Sequence, residues 1–209
     1  MTDNPKPDRR AFLAGAGAAA SFMIMKPQLV RGSQANSAVR VGLLGCGGRG
    51  TTDATSIAIN GPARVVALAD LFADRLATAK KHFDELANKQ HHAGVAASQM
   101  FQGPHAAEQI LNSAEVDAVV IATPPYFHPQ HLAAAVAAGK HVYCEKPVGV
   151  DVPGALRAIE SGKRAEGRVS LDIGFQIRNA PPFVELVRSN TTPNFLALNC
   201  SRNAGFSAV

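Results

Sequence analysis

Tryptophan is missing from this 209-residue chain, tyrosine appears twice, and the three cysteines, Cys46, Cys144 and Cys200, cannot all pair within one molecule. None stands in a C-x-x-C, so neither a disulfide framework nor a structural zinc site is indicated. Histidine is absent beyond His141, and His91-His92 sits in a polar stretch that reads as a solvated loop, so no metal site is expected. Excess charge is scarce as well. The net charge is +5, but five basic and two acidic residues fall in the first 35 positions, which leaves the body at +2. That balance gives no electrostatic footprint for nucleic acid.

The leader itself has a pattern. A polar start reaches Arg9-Arg10, Ala11 to Met25 then carries no charge, and Lys26-Pro27 closes the run. Those 15 residues are rich in Ala and Gly and fall short of the roughly 20 that span a membrane. Residues 1–35 are expected to form a signal peptide, with Ser33-Gln34-Ala35 as a small-x-small cleavage site. Arg-Arg-Ala-Phe-Leu resembles the twin-arginine export signal, which implies a periplasmic protein that meets the membrane only through its leader. An uncleaved anchor or a disordered N-terminus is the alternative.

From Val39 onward short apolar runs alternate with helical patterns. Strands are expected at 39–45, 64–70, 94–101, 116–124, from His141 onward, and at 168–176. Helices are expected at 48–60, from Ala73 to about Lys89, from about His105 to Ser113, at 128–138 closed by Gly139, and at 152–164. The run Val116 to Pro124 is apolar throughout its centre, which implies burial on both faces of a parallel sheet. Residues 36–176 therefore read as an α/β domain with a doubly wound parallel sheet. After it, a helix from Pro181-Pro182 and a strand over 195–201 suggest only the beginning of a second, α+β domain at 177–209, as in a truncated chain.

Between the first strand and first helix lies Gly45-Cys46-Gly47-Gly48-Arg49-Gly50, a G-x-G-x-x-G in the required setting. Gly45 permits the tight turn, Gly47 lets backbone approach a diphosphate, and Gly50 lets the helix pack close. Asp70 ends the second strand, where an acid accepts hydrogen bonds from ribose hydroxyls and repels a 2′-phosphate. This Rossmann-type arrangement favours NAD, while Arg75 keeps NADP open. A nucleoside-binding methyltransferase shares the glycine-rich loop and the acid, but its loop need not approach a diphosphate, and the third glycine would lack a purpose.

The run His-Val-Tyr-Cys-Glu-Lys-Pro-Val, 141–148, sets a carboxylate and an ammonium directly after a buried strand. Desolvating them is expensive unless something pairs or uses them. From residue types alone, a surface ion pair beside a strand-ending proline and a functional site are both open.

"VGLLGCGGRG", "ALADLFADRL", "VDAVVIATPPYFHPQHLAAAVAAGKHVYCEKPVGV" and "DIGFQIR" together resemble the Gfo/Idh/MocA nicotinamide-dependent oxidoreductases, closely over about 39–180. The exported, glucose-fructose oxidoreductase-like branch is the most similar. The resemblance implies reversible hydride transfer between NAD(P) and a carbinol carbon of a sugar or polyol. It also implies a second domain, an open antiparallel sheet that carries much of the substrate pocket and mediates homo-oligomers where present. Residue by residue it places Gly45, Cys46, Gly47, Gly48, Arg49, Gly50, Asp70, Arg75, Thr123, Pro124, His128, Glu145, Lys146 and Pro147 at the cofactor. Lys146 would stabilise alkoxide character and relay the hydroxyl proton, with Glu145 either orienting it or contacting the nicotinamide side and Pro147 fixing the backbone. His131 reads as a packing or surface residue, and Cys144 as a buried structural thiol.

The family's second domain usually adds an acid/base His with an Asp before it. No His follows His141 here, and Asp172 precedes none. A non-catalytic nucleotide-binding module or partner subunit is accordingly the competing class.

Overall fold

The computed structural model describes residues 38–175 and 180–191. The expected leader and the expected strand at 195–201 lie outside them. The described residues form a six-stranded, all-parallel sheet in the order β3-β2-β1-β4-β5-β6. Its strands are β1 (Val39–Leu44), β2 (Ala63–Asp70), β3 (Met100–Gln102), β4 (Ala118–Ile121), β5 (His141–Cys144) and β6 (Leu171–Ile173). Connecting them are α1 (Gly48–Asn60), α2 (Ala73–Lys89), α3 (Ala106–Asn112), α4 (His128–Ala137) and α5 (Val152–Ala165), and α6 (Pro181–Thr191) follows β6.

Successive residues of a strand face opposite sides, so each central strand feeds two cores. Leu43 joins Val41, Ala54, Leu68, Leu76 and Phe83 on the α1/α2 face. Its neighbour Leu44 joins Ile110, Val119, Ile121, Leu132 and Val136 on the α3/α4 face. Leu43, Val119 and Ile121 are completely buried, which explains why the sequence of β1 and β4 runs apolar rather than alternating. Strand order reverses direction between β1 and β4. At such a switch point the connections leave to opposite faces and a crevice opens at the carboxyl ends.

Three strands are shorter than expected. The expected strand at 94–101 is a ladder only from Met100, after a short 3-10 turn at 97–99. Ala96-Ala97-Ser98 offers no β-branched surface, and Val95 is held instead by its N–H on Asp84 Oδ1 at 3.0 Å. β4 stops at Ile121, short of Pro124, because Pro124 and Pro125 turn the chain into a second 3-10 turn. β6 begins only at Leu171, since the N–H groups of Arg168 and Val169 both bond back to Ala165 O at the helix end.

Candidate functional site

β1 ends in a turn that only glycine makes comfortably. Gly45 has φ +96°, and a Cβ there would lie 2.6 Å from Ala122 O at the end of β4. At Gly50 a Cβ would run into Gly45 O and stand 2.9 Å from Ala122 Cβ, so α1 packs closely on the strands. Gly47 and Gly48 are different: a Cβ at either would meet nothing within 4 Å. The N-terminus of the 13-residue α1 has no side-chain cap and no acidic residue in its first turn. Open space in front of uncapped N–H groups is what an incoming diphosphate requires. The loop therefore fits a dinucleotide on its own geometry.

The same loop forms one wall of a cleft of about 560 Å³ across the carboxyl ends of β1, β2 and β4. Asp70 stands on it with both oxygens oriented: Oδ2 accepts the Cys46 N–H at 2.7 Å and Oδ1 the Phe72 N–H at 3.0 Å. Leu71 and Phe72 follow, more than half exposed, and give the cleft a loose apolar side suited to a flat ring. Across from them, Thr123 Oγ1 lies 3.0 Å from His131 Nδ1, and the His131 ring stacks on Phe127 with centroids 5.8 Å apart. Burial, and secondarily His128, pushes His131 below the ordinary histidine value, so its ring is neutral at pH 7.

Glu145 follows β5 in a different kind of setting. It is 4% exposed, and its N–H reaches Ile121 O at 2.9 Å. Its Oε1 accepts from Arg49 Nη2 at 2.6 Å and Tyr143 Oη at 3.4 Å, and Oε2 from the Lys146 N–H at 3.1 Å. Arg49 Nε also lies 3.1 Å from Asp53 Oδ2, a charge contact without hydrogen-bond alignment, which leaves that buried oxygen without a directed donor. Burial pushes Asp53 up to about 6, against the pull of Arg49 and with the help of Glu145. Burial would raise Glu145 too, but the hydrogen bond and charge of Arg49 outweigh it and hold that carboxyl below its usual range. Lys146 is exposed, its ammonium makes no hydrogen bond or ion pair among the described residues, and the Lys146–Pro147 peptide is cis.

The family model described as "Oxidoreductase family, NAD-binding Rossmann fold", Gfo/Idh/MocA, matches residues 39–173, well over half of the chain. The chain belongs to the Gfo/Idh/MocA oxidoreductases. Curated relatives include inositol 2-dehydrogenase 4 of Saccharopolyspora erythraea, 35% identical over 74% of this chain and 41% of the relative. Inositol 2-dehydrogenase of Paracoccus denitrificans is 32% identical over 72% of this chain and 41% of its own. Among solved structures, scyllo-inositol dehydrogenase from Lactobacillus casei with bound NAD(H) and scyllo-inositol matches with a TM-score of 0.59 at 26% identity, covering 73% of this chain and 42% of that one. The chain thus spans about 41% of the length of the curated relatives named here.

Within this Gfo/Idh/MocA frame the expected residues separate into groups. Gly45, Gly47, Asp70, Arg75, Thr123 and Pro124 line the cleft. Gly48 lies open beside them, while Gly50 packs inward. Glu145, Lys146, Pro147 and Arg49 gather at the end of β5 rather than on the cleft wall. Two expectations need correction. Cys46 gives its backbone N–H to Asp70, and its thiol is buried against Ala69 O at 3.6 Å, where burial raises it to about 12. His128, expected at the cofactor, lies inward of the cleft: it is 1% exposed, with Nδ1 2.8 Å from Pro147 O and Nε2 2.6 Å from Thr123 O. It is an internal strut between the segment after β4 and the Glu-Lys-Pro turn, because α4 begins at His128 and turns its first side chain under that segment.

His131, one turn further along α4, packs against Phe127 and also lines the cleft, a place that its reading as a packing or surface residue did not include. Leu71, Phe72 and Phe127 were missed too. Their signal was apolar residues in loops at strand ends, where burial does not call for them. Asp53 left a fainter mark, the Arg49-x-x-x-Asp53 spacing that puts both side chains on one helix face.

Proposed function

We propose that this chain carries the dinucleotide-binding half of an NAD-dependent oxidoreductase that moves hydride between the nicotinamide and a carbinol carbon of a polyol, an inositol foremost, or a sugar. One observation carries the reading: the open glycine loop and the Glu145-Lys146 pair stand on the same carboxyl edge of the sheet, two strands apart. The names of the relatives supply the polyol class. When bound, the nicotinamide supplies the hydride acceptor. Everything else falls to the chain. The α1 N-terminus seats the diphosphate and Asp70 takes ribose hydroxyls, a preference that disfavours a 2′-phosphate. The exposed Lys146 ammonium stabilises alkoxide character on the carbinol oxygen as its proton leaves. Glu145, buried and ionised, fixes the turn that presents Lys146.

Titration of the dihydronicotinamide fluorescence of NADH tests the reading. Saturable NADH binding, lost in Gly47→Val, together with NAD reduction by an inositol supports the proposal. Binding without turnover supports the nucleotide-holding module instead, and failure to bind sinks both. We further propose export by the twin-arginine route, supported by Arg9-Arg10-Ala11-Phe12-Leu13 before the uncharged run. NAD is scarce outside the cytoplasm, so it would be loaded before translocation. Mass spectrometry of periplasmic protein without dinucleotide counts against that.

A further inference from the structure

Arg49 is the second residue of α1, between the open Gly48 and the packed Gly50. Its backbone belongs to the diphosphate loop, yet its side chain leaves that loop and reaches a carboxylate 96 positions away in sequence. Its fork is divided. Nε rests against Asp53, one helical turn on, and Nη2 meets Glu145 at 2.6 Å. The brace at Asp53 keeps the guanidinium plane aimed at β5, a task for a planar fork that a lysine ammonium cannot perform. Space for the contact comes from the residue after β6: at Gly174 a Cβ would stand 2.5 Å from Glu145 Oε1.

We propose that Arg49 is a positioning residue that ties the diphosphate loop to the Glu145-Lys146 turn, so that seating the dinucleotide and aligning the lysine are one event. The inference rests on the dinucleotide-binding reading and deepens it. Without the guanidinium, Glu145 and Asp53 face one another as like charges next to the loop that must accept an anionic ligand. With it, the carboxylate is neutralised and the turn bearing Lys146 is fixed against α1.

The test uses the full 209-residue chain as wild type, Arg49→Ala, Arg49→Lys, Glu145→Gln and the double variant Arg49→Ala/Glu145→Gln. Amide hydrogen exchange comes first, with no dinucleotide present. Arg49→Ala should speed exchange across 142–148 about tenfold and leave β2 unchanged, as loss of one charge-assisted bond requires. Arg49→Lys, which keeps the charge and the fold, should show the same local change in smaller measure. NADH affinity comes second. Arg49→Ala should weaken it about tenfold in the wild-type background but less than twofold beside Glu145→Gln, a coupling that a merely structural role does not produce. Unchanged exchange over 142–148 overturns the proposal. So does an equal loss of affinity in both backgrounds, which would mean that the guanidinium serves the phosphates directly. If the wild type binds no NADH, the functional reading falls, while the exchange data still decide whether Arg49 holds the turn.

Discussion

Residues 45–50 and residues 143–147 occupy the same edge of one sheet and are built in opposite ways. The first segment works by omission: glycines, an uncapped helix end, and room where side chains would stand. The second works by concentration: around the Glu145 carboxylate, 4% exposed, stand the Tyr143 phenol and, reaching over from α1, the Arg49 guanidinium with the buried Asp53 behind it. Shape governs the glycine loop, whereas charge governs the end of β5. Added volume should therefore damage the first, and altered protonation the second.

The sharpest contrast lies within the loop. Gly45→Ala places a Cβ 2.6 Å from Ala122 O at a φ of +96° and should cost about 3 kcal/mol or more of stability in urea unfolding. A fully stable variant would mean that the loop relaxes freely and that shape does not govern it. Gly174→Ala carries the volume test to the charged end, where its Cβ would press on Glu145 Oε1 at 2.5 Å and Tyr143 Oη at 2.7 Å. A loss of about 2 kcal/mol is expected, with faster exchange at Lys146.

Protonation should separate the two ends further. Asp53 has a folded value of about 6 against an ordinary 3.8, so its contribution favours folding most below 3.8 and is lost as pH rises through 6. Glu145 runs the other way, because its value is lowered: its contribution is present above the usual glutamate range and lost as pH falls. Between pH 5 and 7 the Asp53 contribution declines by about 1 to 2 kcal/mol, opposed by His131, whose lowered value favours folding as pH rises; the decline is read as the difference between wild type and Asp53→Asn in denaturation curves taken across that range. A slope unchanged in the variant assigns it elsewhere. The smallest change in stability belongs to Gly47→Ala, within about 0.5 kcal/mol of wild type. Its NADH affinity should nonetheless fall about tenfold, since the methyl group occupies the path of the diphosphate. Calorimetry and fluorescence titration on one preparation check both halves of that statement.

Much of this was legible beforehand because it is periodic or local. Apolar runs at 39–45 and 116–124 announced buried parallel strands, and a G-x-G-x-x-G between strand and helix announced the loop. The shortened β3 and β6 were not legible, because where a ladder ends depends on which N–H groups find other acceptors, as Arg168 and Val169 do at Ala165 O. His128 and His131 show the same limit at the site. Both follow a Thr-Pro-Pro segment, and nothing in spacing alone says that α4 starts so as to bury the first and turn the second to the cleft.

By itself, the sequence determined the doubly wound architecture, the place of the glycine loop and the acid that ends β2, since each follows from patterns within a few tens of residues. Tertiary structure decided which charges meet. Arg49 and Glu145 lie 96 positions apart, and only the pairing of β4 with both β1 and β5 brings the helix after β1 to the turn after β5. Electrostatic partnership falls off over a few ångströms of space, and distance along the chain carries no information about it until the sheet order is set.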